Sequence, residues 1–188
     1  NRAPIINGTV EERMRVGCGS ATVGMFASQW KGLVDEVVVV DGGSTDQTSQ
    51  LASKCGAKVV HGARGRAVQQ NLGAEHTTGE VLLFLHADTH LAHGWRACAD
   101  TFMQAPANRR RAAYFRFCLD NDSEAARRLE ATVAWRSSRF GLPYGDQGLL
   151  ISRGFYHSIG GYRRIPLFED VDLVRRIRGR RLQGLDVD

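Results

Sequence analysis

Apolar runs of strand length alternate along this chain with segments in which apolar residues return every three or four positions. Val37 to Val40 is short, unbroken and β-branched, which predicts a strand covered on both faces in a parallel sheet. The polar cluster that follows, Ser44-Thr45-Asp46-Gln47, has the spacing of a helix capping box, and Gly56 supplies a stop after a helix carried through Leu51 and Cys55. Lys58 to His61 reads as the next strand, Arg66 to Glu75 as the next helix, and Val81 to Leu85 as another buried strand ending on His86-Ala87-Asp88. Trp95, Cys98, Ala99 and Phe102 share one helical face, which predicts a helix from Gly94 to Gln104. Ala113, Phe115 and Phe117 alternate with Tyr114, Arg116 and Cys118, the pattern of a half-buried strand. A long helix from Ser123 to Phe140, a glycine-rich loop, a strand at Leu149 to Ser152 and a helix from Glu169 to Arg178 complete the series. Trp95, Phe102 and Trp135 are expected in the core. With no internal repeat and no linker, residues 1–188 read as a single α/β domain with a mostly parallel central sheet flanked by helices. The last residues, "LQGLDVD", read as an unfinished strand, so a chain truncated at its C-terminus is expected.

Composition narrows the class. A chain of 188 residues, 43% hydrophobic and 24% charged, is long and apolar enough for one domain with a real core, which excludes a disordered protein. Its longest purely aliphatic and aromatic run, Val81 to Leu85, falls far short of the ~20 residues of a membrane span, and the first residues lack the pattern of a signal peptide. Cys18, Cys55, Cys98 and Cys118 are widely spaced with no CxxC pair, which suggests reduced thiols and a cytoplasmic setting. The net charge of +5 favours anionic partners, whether phosphates, nucleic acid or an acidic lipid surface. No basic and aromatic module of a nucleic-acid binder is present, so nucleic acid is not expected as a partner.

Candidate chemistry gathers at strand ends. In an open α/β sheet, ligands bind beyond the carboxyl ends of the strands, where the following helices present their N-termini. Asp41 stands at such an end. Gly42 and Gly43 let a ligand approach the backbone, and a helix opened by Ser44 would offer free N–H groups. The same residues also suit a plain strand-to-helix turn. In "VLLFLHADTHLAH", Asp88 follows a buried strand, where a carboxylate needs a cation or a hydrogen-bonding partner. A hard divalent ion completed by diphosphate oxygens meets that need, as does a helix cap. The cluster His86, Asp88, His90 and His93 leaves a zinc hydrolase open as well.

Five segments in order, "VDEVVVVDGGSTDQT", "GARGRAVQQNLGA", "GEVLLFLHADT", "GLPYGDQGLLISR" and "IPLFEDVDLVRRI", resemble the family 2 glycosyltransferases of GT-A (Rossmann-like) type. The resemblance is to the branch whose metal motif reads His-Ala-Asp. It implies an inverting, metal-dependent, hexosyltransferase-like enzyme that moves a sugar from a nucleotide-diphosphate sugar to an acceptor hydroxyl. It also implies roles by position. Asp170 would be the catalytic base with Glu169 beside it, and Asp88 would hold Mg2+ or Mn2+. Asp41, Gly42, Gly43, Ser44, Arg64, Arg66, Asn71, His86 and Ala87 would face the donor. Gly145, Asp146 and Gln147 would meet the sugar or acceptor. The N-terminal "APIINGTVEERM" keeps little of the family's base-binding segment, which leaves Thr9 and Glu11 as candidates there. Asp41, Asp88 and Asp170 are expected around one cleft.

Competing readings stay open at this level. Glu169, Asp170 and Asp172 open a helix that ends on Arg175, Arg176 and Arg178, an arrangement the helix dipole favours by itself. Arg64 and Arg66 suit a solvated loop, and Asp146 suits a turn. The altered N-terminus leaves room for a non-catalytic sugar-nucleotide binder. Arg109 to Arg111 and Arg178 to Arg181 read as exposed faces that would also suit peripheral contact with an anionic membrane at its inner face, and with it a lipid acceptor rather than a small molecule.

Overall fold

The computed structural model describes residues 2–7, 34–86 and 89–187, with backbone alone for 2–7. Thr9, Glu11, Ala87 and Asp88 lie outside the described residues. Seven strands form one sheet: β1 (Arg2–Asn7), β2 (Val38–Asp41), β3 (Lys58–His61), β4 (Val81–His86), β5 (Ala112–Phe115), β6 (Leu149–Ser152) and β7 (Leu182–Leu185), in the order β3-β2-β1-β4-β6-β5-β7. All neighbours are parallel except β6, which runs antiparallel to both β4 and β5.

Helices cover both faces: α1 (Thr48–Lys54), α2 (Arg66–His76), α3 (Trp95–Gln104), α4 (Glu124–Phe140), α5 (Arg153–Ser158) and α6 (Glu169–Ile177). The unbroken apolar strands follow from this burial. Along β4, Leu83 and Leu85 pack with Ala52, Trp95, Ala99 and Phe102 on one face. Leu82 and Phe84 pack with Ala67, Ala74, Leu173 and Ile177 on the other. A period-two strand with both faces covered has no position left for a polar side chain. The same logic corrects the reading of residues 113–118. Ala112 and Ala113 are both fully buried, so β5 is enclosed on two sides and ends at Phe115.

The helix starts also differ in detail. The predicted capping box is not formed: α1 opens at Thr48, whose amide donates to Asp46 Oδ1 at 2.9 Å, while the Ser44 amide turns to Asp41. Gly56, at φ +88, does end the helix. Ser123 does cap α4, accepting from the Ala126 amide at 3.2 Å. Trp95 and Phe102 are core residues, but Trp135 is 59% exposed and stacks edge-to-face on Phe140 at 5.1 Å. Its helix contributes only Ala126, Val133 and Ser137 to the buried interior, so helical spacing alone overstated its apolar face. Among the described residues, no helix is long and apolar enough to cross a membrane.

Candidate active site

Sheet direction assembles the site. The parallel strands β1, β2, β3 and β4 all end at one edge, where Asp41 pairs in register with His61, and Asn7 with both Val40 and His86. Because β6 is reversed, it begins at that same edge, so the turn Gly145–Gln147 arrives beside the end of β4. Strands β5 and β7 also finish there.

At the β2 end, Asp41 is buried and serves its own turn. Its Oδ1 accepts the amides of Gly43 (3.1 Å) and Ser44 (2.9 Å), and its Oδ2 accepts the Ser49 hydroxyl. Burial pushes its pKa up, but the Ser49 hydroxyl and the two amides outweigh burial and hold the carboxyl below its ordinary value. His61 Nδ1 stands 3.7 Å from Oδ2. Arg64 donates to the carbonyls of Gly42 (3.3 Å) and Gly43 (3.5 Å), and Gly43 takes φ +96, which a Cβ would strain. The Gly43 and Ser44 amides are thus turned inward, toward Asp41.

The second group forms a cleft of about 780 Å³. Arg66, His86, Gly145, Asp146, Gln147 and Asp170 all line it. Asp170 Oδ2 accepts the Gly145 amide at 2.8 Å, and its Oδ1 accepts the Val171 amide at 2.7 Å. Gly145 has no side chain because His86 leaves no space for one: a Cβ there would lie 2.4 Å from His86 Nε2. The end of β4, the 145–147 turn and the first turn of α6 therefore meet at one glycine. Of the three acids opening α6, Asp172 is taken up by Arg176 (2.8 Å) and Arg163 (3.3 Å), and Glu169 is buried 4.0 Å from Arg66. Of these three, only Asp170 lines the cleft. Burial, then the neighbouring Asp170, raise the Glu169 pKa against the pull of Arg66.

Asp146 Oδ1 is buried without a hydrogen-bond partner among the described residues. Burial raises its pKa, Arg136 opposes that rise and Asp170 adds to it. Gln147 is committed to the fold: its Oε1 accepts the Ser137 hydroxyl (2.8 Å) and its Nε2 donates to the Phe115 carbonyl (3.1 Å).

Two of the expected site residues have further commitments. Asn71 spends its amide on α5 and the segment after it, donating to the Tyr162 carbonyl (2.8 Å) and accepting the Tyr162 amide (3.0 Å) and the hydroxyl of Tyr156 within α5 (2.6 Å). These bonds tie α2 to the 156–162 segment. Asp41 stands at the same sheet edge as the cleft but not on its wall, so of the three acids expected to converge, Asp170 lines the cleft and Asp88 lies outside the described residues. Among the described residues no group of three His, Cys, Asp or Glu side chains could hold a metal; the cluster of His86, Asp88, His90 and His93 includes Asp88, which lies outside them. The far wall, Phe115 to Asp120 with Leu167 and Phe168, escaped sequence reading; the apolar "PLF" before two acids was its one signal.

The model of the Glycosyl transferase family 2 matches residues 22–164. This chain belongs to that family. Solved glycosyltransferases match it in structure across nearly its whole length. A mannosyltransferase from Pyrobaculum calidifontis, in complex with GDP-Man and Mn2+, matches with a TM-score of 0.69 at 17% identity over 99% of this chain and 54% of that one. Glucosyl-3-phosphoglycerate synthase from Mycobacterium tuberculosis, in complex with Mn2+, UDP and glucosyl-3-phosphoglycerate, gives 0.64 at 19% identity over 100% of this chain and 70% of that one. Among curated proteins, the same synthase from Mycolicibacterium smegmatis is 38% identical over 68 residues, 30% of this chain and 22% of its own length. A shorter match, 59% over 39 residues, is to 6-hydroxynicotinate reductase from Eubacterium barkeri and covers 21% of this chain and 8% of that one. The family 2 chain thus spans a small part of the curated relatives it matches. The structural likeness bears on the fold, a single α/β domain of GT-A type.

Proposed function

We propose that this family 2 chain transfers a sugar from a nucleoside diphosphate sugar to an acceptor hydroxyl, with inversion and with Asp170 as the base. The observation that carries the reading is Asp170 itself, fixed by the Gly145 amide and facing a cleft at the carboxyl edge of the sheet. Each of its oxygens accepts one amide, which leaves each a second lone pair for an incoming O–H. A carboxylate held this way takes the acceptor proton as the hydroxyl attacks the sugar carbon from the side opposite the leaving diphosphate. Such direct displacement inverts the anomeric centre and needs no covalent intermediate.

Arg66, at the start of α2 and on the cleft wall, would face the negative charge that builds on the leaving phosphates. The buried Glu169 carboxyl beside it would orient the guanidinium. Asp41 would act through the turn it braces, presenting Gly42 and Gly43 to the nucleotide. Asp88 would hold a divalent ion, Mn2+ or Mg2+, together with donor oxygens, and oxygen donors of this kind suit a hard cation. The orphaned Asp146 Oδ1 on the same wall is a further oxygen able to face a sugar hydroxyl or that ion. Bound there, the ion would neutralise diphosphate charge as the bond breaks.

The test is Asp170→Asn. The amide keeps an acceptor oxygen for Gly145 but cannot take a proton, so transfer should fall about 10²–10⁴-fold while nucleotide-sugar affinity persists. UDP-glucose and GDP-mannose with Mn2+ are the first donors to screen, by the rise in melting temperature that ligand binding produces. Turnover in the variant equal to the wild type would reject the assigned base.

A further inference from the structure

Phe168 adopts φ +64 and ψ +31, a left-handed conformation that bulky L residues rarely hold. Elsewhere at helix ends a positive φ falls on glycine, at Gly94 and Gly141, and among the described non-glycine residues only on Arg178 (φ +64), which ends α6. The strain at Phe168 is not offset by burial, since its ring is 64% exposed and Leu167 before it is 65% exposed. No ring partner for Phe168 is found among the described residues. Both side chains line the cleft, and the next residue but one is Asp170. Leu119 and Tyr144, also exposed, line it too, so half of the eight exposed large hydrophobic side chains among the described residues face this cleft. The remainder include Trp135 and Phe140, which pack on one another on α4. A costly backbone that holds an unburied aromatic beside the base is a feature expected of a functional surface.

Position assigns the surface to one of the two substrates. The donor's expected turn, Gly42 and Gly43, lies at the β2 and β3 side of the sheet, whereas the apolar wall belongs to β5, the 145–147 turn and the entry to α6. The base must touch the acceptor, and Phe168 is attached to the base by one residue. We infer that Leu167 and Phe168 form an apolar platform for the acceptor, which is an amphiphile carrying an alkyl or similar non-polar group next to its attacking hydroxyl. This rests on the transferase reading above.

Methyl and octyl β-D-glucopyranoside are the probes, the octyl compound kept below its micellar concentration, with binding followed by titration calorimetry. Burying even part of an octyl chain is worth well over a factor of ten, so the wild type should bind the octyl compound at least about tenfold more tightly than the methyl one. Phe168→Gly, which takes φ +64 without strain, and Leu167→Ser should each shrink that ratio to about threefold or less. Trp135→Ala should leave the ratio intact. Equal binding of the two glycosides by the wild type, a ratio that survives both cleft substitutions, or a ratio abolished by Trp135→Ala overturns the proposal. Nucleotide-sugar thermal shifts on the same samples separate the two readings. Shifts that persist while the octyl ratio fails reject the platform alone, whereas absent shifts reject the transferase.

Discussion

Gly145→Ala perturbs the point where three elements meet, and its effect can be worked from geometry. The new Cβ would lie 2.4 Å from His86 Nε2 and 3.0 Å from Cε1. Non-bonded heavy atoms rest at about 3.5 Å, so roughly 1 Å must be recovered by moving the imidazole or the turn. Rotating the ring off its preferred torsion costs about 0.5–1.5 kcal/mol. Shifting the turn instead stretches the bond from the Gly145 amide to the Asp170 carboxylate, a charge-assisted bond of about 1.5–3 kcal/mol. The expected loss is therefore about 1–3 kcal/mol, and a chain of this size loses about 2–4 °C in Tm for each kcal/mol. Either displacement moves Asp170, the proposed base, or its neighbour by about 1 Å, which can lower the proposed transfer by about a hundredfold. Thermal unfolding and initial rates of Gly145→Ala, His86→Ala and the double variant form the assay. Because the closest contact is with the imidazole, removing the ring should restore much of the lost stability, giving a clear coupling between the two sites. A Tm unchanged in Gly145→Ala, or strictly additive losses in the double variant, would refute the reasoning.

The Asp41 carboxyl, held below its ordinary value of 3.8, contributes stability that is fully present above that value and is lost as pH falls through the lower value of the fold. Asp41→Asn should therefore be less stable than the wild type at neutral pH, with the gap closing in acid; denaturant unfolding down to about pH 2 measures it, and a pH-independent gap contradicts the assignment. Asn71→Ala removes three hydrogen bonds between α2 and the 156–162 segment and should cost about 2–4 kcal/mol while sparing nucleotide-sugar affinity. Lost affinity with unchanged Tm would return Asn71 to the donor site.

Strands and long helices were legible because their signals are local. Valines 38 to 40 and the run from Val81 onward carry no polar position, and only a sheet covered on both sides tolerates that. Gly56 and Ser123 end and start helices through their own backbone and hydroxyl chemistry, so they too were readable. Ser44 misled because its amide has a competing acceptor, the Asp41 carboxylate, and spacing does not reveal which acceptor a donor finds. The partners of Asn71 were hidden for the same reason at longer range: they lie 85 and 91 positions away. Asp170 was singled out from Glu169 and Asp172 by resemblance, while its physical distinction, a bond to an amide 25 positions upstream, exists only in the folded chain.

The reversed direction of β6 has an evolutionary corollary. Both the excursion that leaves β5 and the one that enters β6 open onto the same rim, so lengthening either segment reshapes the wall proposed for the acceptor while β1 to β4 keep their pairing. On the proposed assignment of that wall, swapping residues 116–123 or 141–144 among homologues is a modular route to new acceptors that should leave donor preference intact.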